Sequence, residues 1–387
     1  MSEYHIPVLL DRSVTALVGD HSGFYVDATF GGGGHSREIL SRLSPEGRLL
    51  AFDRDSDAFA NCPEDSRFTL IHNNFRFVHN FALLEARKAA RDYRERGADE
   101  IGKMDDGDNA DGSIGLTGAA GGADEMGKMD ADGIADEIGQ TEGRRAADRT
   151  RLTDEGGVAD GILADLGVSS HQFDTAERGF SFRFDAALDM RMNSLAEKDA
   201  ASVVNCYEAG ELERIFHLYG ELEGSRRIAS LIVSARERTP IRSTVDLNSV
   251  LSPVLPPYAE HKFLAKVYQA LRIEVNDEMK SLEKFLEGAA DTLKPGGKLV
   301  IITYQSLEDR MVKNFIRSGN VEGKMERDIY GRCAVPLEAV ERKPILPSEE
   351  EIAANTRARS AKMRVARKSG ESVPPAGSGR RGMTEQA

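Results

Sequence analysis

Four apolar runs, GFYVDAT (23–29), GRLLAFDRD (47–55), RFTLIHNNF (67–75) and DGILADLGVSS (160–170), each lead into polar residues, and three carry an aspartate there: Asp27, Asp53 and Asp165. Between the first two lies HSREILSRL (35–43), with Ile39, Leu40 and Leu43 at helical spacing. Strands alternating with helices predict an α/β fold, a parallel sheet with helices on both faces. In open sheets of this kind ligands bind beyond the carboxyl ends of the strands. One acid after a strand is often only a loop or cap residue. Three of them beside a glycine-rich loop define a polar edge.

Later segments extend this pattern. From about 177 to 262 the chain turns helix-rich and charged, with ELERIFHLYGELEGSRRIASLIVSARER (211–238) at roughly helical spacing and PVLPPY (253–258) closing the region. Met279, Leu282, Leu286, Ala289 and Leu293 then mark one buried helix face. LKPGG (293–297) stops that helix, and KLVIITY (298–304) predicts another buried strand. A helical module is thus expected between the early and late parts of one α/β domain.

The formal charge of −13 argues against a polyanionic partner only until its distribution is considered. Residues 95–160 hold 18 Asp/Glu against 7 Lys/Arg, a net of −11, leaving −2 for the rest of the chain. From Asn355 onward 8 Lys/Arg face 2 Glu, a net of +6. The acidic stretch is repetitive: ADEIGKMD (98–105) returns as ADEMGKMD (123–130), and no aromatic residue follows Tyr93 within it. Such a segment cannot bury enough apolar surface to offset its ordering entropy, so it is expected to be a disordered insert. A calcium loop fails on spacing, because Ala110 stands where a third oxygen ligand belongs after Asp106 and Asp108. Cys62, Cys206 and Cys333 lie far apart, with neither disulfide nor zinc spacing, and no metal is expected. Without a long apolar run or a signal peptide at the start, the chain reads as cytoplasmic, with no membrane partner.

The loop TFGGGGHS (29–36) narrows the ligand. A mononucleotide phosphate loop needs Lys-Ser or Lys-Thr after the glycines, and neither is present. A nicotinamide site wants GxGxxG, but counting from Gly31 the third glycine position is Ser36. Asp27 would also oppose a pyrophosphate. S-adenosylmethionine has no phosphate. A carboxylate at Asp27 suits its ammonium, bare backbone lets the amino acid lie close, and Asp53 is placed for the ribose hydroxyls. Asp53 would serve a nicotinamide dinucleotide equally; the combination with Asp27 and four glycines favours the methyl donor.

TFGGGGHS, AFDRD (51–55), ADLGVSSHQFD (164–174), ERGFSFR (177–183), DMRM (189–192), QALRIEVN (269–276), SLEDR (306–310) and NTRARSAKMR (355–364) together resemble the ribosomal RNA small-subunit methyltransferase H family. The resemblance spans nearly all of the chain outside the insert and the last twenty or so residues. It implies a Rossmann-like class I methyltransferase sheet with an inserted helical domain. The implied activity is methylation of N4 of a cytidine in the decoding centre of small-subunit (16S) rRNA, with S-adenosylmethionine as donor. Cofactor positions carried over from the family fall on Gly33, Gly34, His35, Asp53, Phe75, Asp165 and Gln172. The expected divisions are 1–89, 158–176 and 262–368 for the cofactor-binding domain, 90–157 for the acidic insert, 177–261 for a helical substrate-recognition domain, and 369–387 for a flexible tail.

The chemistry assigns further candidates. A cytosine amine is a poor nucleophile, and a carboxylate accepting its proton would help. Asp165 is placed for that role or for cofactor binding, with Asp189 as a second candidate and Ser169 and Ser170 as possible positioning groups. Phe180, Phe182 and Phe184 with Arg183 and Arg191 offer stacking planes for RNA, or equally a half-buried strand. In RARSAKMRVARK (357–368), Arg357 and Arg359 lead an alternating basic stretch that reads as an edge strand meeting phosphate. Two departures from the family pattern stand out: Gln305 where His is usual before SLEDR, and Thr356 in place of Pro. Gln305 motivates one alternative, a ribosome-assembly protein that binds cofactor without turnover.

Overall fold

The computed structural model describes residues 7–105, 157–167, 175–325, 327 and 335–370, with the backbone alone for 92–105 and 176. The early strands are β1 (Phe24–Asp27), β2 (Arg48–Asp53), β3 (Phe68–His72) and β4 (Ala159–Asp165). Helix α1 (Leu10–Leu17) precedes β1, α2 (Gly34–Arg42) joins β1 to β2, and α3 (Val78–Asp105) follows β3. Five helices come next: α4 (Ala200–Cys206), α5 (Ala209–Leu218), α6 (Ser225–Arg236), α7 (Thr244–Leu251) and α8 (Glu260–Val275). Then follow α9 (Glu278–Thr292), β5 (Leu293–Thr303), α10 (Ser306–Ser318), β6 (Leu337–Ala339), α11 (Glu349–Ala354) and β7 (Lys362–Lys368).

One sheet carries the strands in the order β3-β2-β1-β4-β5-β7-β6. β1 to β5 are parallel, while β7 runs antiparallel to both β5 and β6. This is the mostly parallel α/β sheet that the alternation of strands and helices predicts. The strand order reverses between β1 and β4, where an open sheet leaves a crevice at its carboxyl edge. Asp27 and Asp165 end those two strands.

The apolar runs lack polar alternation because both faces are covered. Val26, Leu50, Phe52, Ile162, Leu299 and Ile301 face one way, against Val78 and Phe81 of α3, Leu286 of α9 and Phe315 of α10. Their neighbours Tyr25, Leu49, Leu163, Val300 and Ile302 face the other way, against Val14 and Leu17 of α1 and Ile39 of α2. Each such side chain contributes about 1.5–3 kcal/mol on burial, so the two cores hold the strand ends rigidly in register.

Helices α4 to α8 build a separate core from Val203, Leu212, Ile215, Ile228, Ile232, Leu247, Leu271 and others, joined by Phe180, Leu188 and Met190. The helical stretch 211–238 is two helices: Glu221 (φ 46°) and Gly224 (φ 78°) take left-handed backbone and break it. The phenylalanine stretch is not a strand. Phe180 is buried, Phe182 packs on Tyr268 and His261, and Phe184 is exposed.

The expected edge strand at the basic stretch is corrected by the sheet. β7 lies between β5 and β6; Arg364 is used internally, with two bonds to Asp309 of α10 (2.7 and 3.2 Å), while Arg367 makes an exposed pair with Glu338 of β6. Alternation marked a strand here, but charge alternation does not say whether water or carboxylates face it. Residues 84–157 form a second unit, in which the helix begun at Val78 continues to Asp105, past the expected start of the insert. The remainder of the acidic repeats (106–156) and the tail beyond 370 lie outside the described residues.

Candidate functional site

The loop after β1 leaves the sheet between its neighbours, with Ala28 N donating to Leu163 O and Phe30 N to Phe52 O. Gly33 (φ 74°) is the turn residue before α2, and a Cβ there would lie 2.8 Å from the Phe30 ring. At Gly31 (φ 53°) a Cβ would meet nothing within 4 Å, so bare backbone faces open space. Asp53 pins this loop: Oδ2 accepts from Gly31 N (2.7 Å) and Oδ1 from Asp55 N (2.8 Å). Burial raises the Asp53 pKa, opposed by those amides. Each carboxylate oxygen keeps a lone pair for a further donor.

Asp27 takes a different place from the one expected for a group meeting a ligand's ammonium. Its side chain is wholly enclosed, with Oδ2 accepting from Ser36 Oγ (2.6 Å) and Oδ1 from Thr29 N (3.1 Å). Ser36 lies in the first turn of α2 and folds back over the carboxylate, so Asp27 braces the glycine loop from behind. Gly34 is equally close-packed, against Pro7, which a Cβ would overlap.

Asp165 sits across the crevice. Its backbone N donates to Thr29 Oγ1 (2.7 Å), and its Oδ1 accepts from the Tyr304 phenol (2.8 Å). Its Oδ2 lies 3.8 Å from Nδ1 of His35, beyond hydrogen-bond reach, and the side chain is 21% exposed. Burial pushes the Asp165 pKa up to about 7, against the phenol, which favours the ionised form. Burial lowers the His35 pKa and keeps that ring neutral, although Asp27 pulls the other way. His35 Nε2 is a buried polar atom with no partner among the described residues.

The other candidates fall around this centre or away from it. Phe75, just past β3, packs edge-on against Phe285. Asp189 and Arg191 pair with each other (2.7 and 2.9 Å), and Arg191 Nη1 donates to Ala196 O, so both are engaged within their own loop. That loop is tied to the edge twice. Arg178 bonds Asp55 (2.6 Å) and the carbonyls of Arg191 and Met192, while buried Asn276 bonds Met190 O and Met192 N (2.8 Å each). Arg183 is exposed, as are Arg357 and Arg359 on a short 3-10 turn before β7. Gln172, Ser169 and Ser170 lie outside the described residues. Gln305 follows β5; its Oε1 is buried and has no partner among the described residues, and the turn is held by Glu308, which accepts from the backbone N of Tyr304 and Gln305.

Sequence reasoning missed Tyr304, Arg178 and Asn276. The last two stand in quoted motifs, ERGFSFR and QALRIEVN, yet nothing in their spacing shows that they join the 190–192 loop to the sheet. Tyr304 was hidden as the final apolar-looking residue of a strand.

A glycine loop at the switch point of a 3-2-1-4-5-7-6 sheet, with acids closing the flanking strands, defines a Rossmann-like methyltransferase. The chain belongs to the MraW methylase family, whose profile matches residues 2–93 and 139–369 and skips the centre of the acidic insert. It is similar to the ribosomal RNA small subunit methyltransferase H of Parabacteroides distasonis (44% identical over 365 residues, 94% of this chain and 97% of that one). The protein of the same description from Bacteroides fragilis strain YCH46 is 46% identical with the same coverage. That of Flavobacterium johnsoniae is 44% identical over 366 residues, 95% and 98% of the two chains.

Proposed function

We propose that this methylase uses S-adenosylmethionine to methylate small-subunit (16S) rRNA, at N4 of a cytidine in the decoding centre. Placement of Asp165 carries this reading: a largely buried carboxyl, 21% exposed, with one committed oxygen, at the switch point beside an open glycine loop. The residues fit the donor. Open space at Gly31 suits its amino-acid portion, Asp53 keeps acceptor capacity for two ribose hydroxyls, and unpaired first-turn amides of α2 suit a carboxylate. Phe75 offers a face beside the adenine position. Asp27 then acts by holding the loop through Ser36 rather than by touching the ligand.

When bound, the donor supplies an electrophilic methyl on a sulfonium. Asp165 Oδ2, the oxygen not bonded to Tyr304, would accept the proton that the cytosine amine loses on methylation. A carboxyl titrating near neutrality is matched to that task. Alignment of amine and methyl contributes up to roughly 7–11 kcal/mol. The 189–192 loop, fixed by Arg178 and Asn276, stands over the same edge and walls the base pocket. The binding-only alternative rests on Gln305 alone, and the Asp165 carboxyl is held by Tyr304 rather than by residue 305.

The test incubates the protein with labelled S-adenosylmethionine and small ribosomal subunits from a strain lacking the enzyme, then digests the rRNA to nucleosides. Label in N4-methylcytidine is expected. Label in another nucleoside overturns the N4 assignment, and no transfer despite cofactor binding overturns catalysis.

A further inference from the structure

We infer that Tyr304 is a positioning residue for methyl transfer: its phenol fixes the Asp165 carboxyl through Oδ1 so that Oδ2 is the oxygen presented to the substrate amine. This rests on the proposed role of Asp165 as proton acceptor. The phenol comes from the neighbouring strand. β4 and β5 are parallel with Asp165 opposite Ile302, so Tyr304 stands two residues beyond its partner and reaches back over it.

Three restraints hold the ring. It packs with the α1/α2-side core, a Cβ at Gly167 would come within 3.1 Å of it, and its backbone N donates to buried Glu308. A carboxyl on a single torsion could present either oxygen or swing toward the neutral His35 ring. A donor 2.8 Å from one oxygen removes that freedom without ordering anything at the moment of reaction. The phenol also favours the ionised carboxyl in a site where burial disfavours it. Thus one hydrogen bond serves both aim and charge. The two roles predict different readouts: aim changes the rate at every pH, whereas charge moves the pH at which the rate rises.

Tyr304→Phe keeps the ring that packs against Gly167 and deletes only the donor. On small subunits, turnover is expected to fall between about tenfold and a hundredfold near neutrality, with the acid limb of the pH–rate profile displaced to higher pH. Affinity for S-adenosylmethionine, measured by calorimetry, stays unchanged. In an Asp165→Asn background the same substitution costs nothing further, because Tyr304 acts through Asp165. Replacing Tyr304 with 3-fluorotyrosine, a stronger donor of nearly the same shape, moves the limb to lower pH and guards against a folding defect in the Phe variant. An unshifted limb in both variants, or losses that add in the Asn background, overturns the inference while leaving the Asp165 reading intact. Absence of N4-methylcytidine with the wild-type protein removes both together.

Discussion

Asn276 is where the structure makes its sharpest demand on one side chain. It is 2% exposed, and its amide ties the end of α8 to the 190–192 loop: Nδ2 donates to Met190 O (2.8 Å) and Arg272 O (2.9 Å), and Oδ1 accepts from Met192 N (2.8 Å). Asn276→Ala leaves Met190 O and Met192 N without these partners. Arg272 O keeps the backbone bond from residue 276. Met190 O is buried and Met192 N partly so; at about 1–3 kcal/mol for a buried group left unpaired, the loss is about 1–3 kcal/mol from the first and less from the second, a large part of a typical domain's 5–15. Asn276→Asp is the finer probe, since it keeps the Met192 bond but sets a carboxylate against two carbonyls. The folded state then favours the protonated acid, so its pKa is raised above the unfolded value. The variant therefore comes nearest to wild type below about pH 4 and loses stability as pH rises through the folded-state value. Urea denaturation from pH 4 to 8, with hydrogen exchange across 189–192, measures both effects. If Asn276→Asp matches wild type at pH 8, or exchange at Met192 is unchanged in the Ala variant, the bridge does not hold this loop.

Two further outcomes follow from the site. Asp165 has its pKa raised to about 7 by burial, so kcat/KM should rise with pH through about 7, and Asp165→Asn should erase that limb and lower turnover by roughly 10²–10⁴-fold. Because the folded-state value lies above the unfolded one, the same group's stabilising effect is present below about pH 4 and lost as pH rises through 7. Asn at this position should therefore melt higher than wild type at pH 8. Gln305→Ala removes a buried oxygen that has no partner among the described residues, so thermal melting should show it as stable as wild type or more stable. A drop in methyl transfer without a drop in melting temperature would mark Gln305 as a group whose partner is the substrate, and a destabilised variant would contradict the unpaired geometry.

Legibility in the sequence followed the range of the interactions involved. Strand positions and the crevice were readable because burial on both faces leaves continuous apolar runs, and acids at Asp27, Asp53 and Asp165 close them. What Asp27 touches was not readable. Its partner, Ser36, is nine residues away and could as well have pointed outward. β7 shows the same limit: alternation in KMRVARK gave a strand, but Asp309 and Glu338, which decide what its cations meet, come from elements 29 to 55 residues earlier. The break at Glu221 escaped notice because a left-handed glutamate has no compositional signal. Tyr304 and Asp165 are 139 residues apart, and only the parallel pairing of β4 with β5 brings them together.

The pairing within the sheet also decides which cations can hold RNA. Counterion release rewards only positive charges that reach phosphate, about 0.7–0.9 of a unit in the log–log salt slope for each. Arg364, 12% exposed, cannot leave the 14% exposed Asp309 of α10 without stripping that carboxylate of two hydrogen bonds, with Lys362 at 3.6 Å the cation that remains beside it. Arg183, Arg226 and Arg227 are exposed and make no ion pair among the described residues. Neutralising these three to Ala should lower the slope of rRNA binding against salt by about 2–3 in total, with melting unchanged. Arg364→Ala should leave the slope alone and cost about 3–5 kcal/mol of stability. Filter binding of a small-subunit rRNA fragment between low and moderate salt, beside urea denaturation of each variant, separates the two. A reduced slope in Arg364→Ala at full stability would mean that the Asp309 pair opens to let this cation reach RNA.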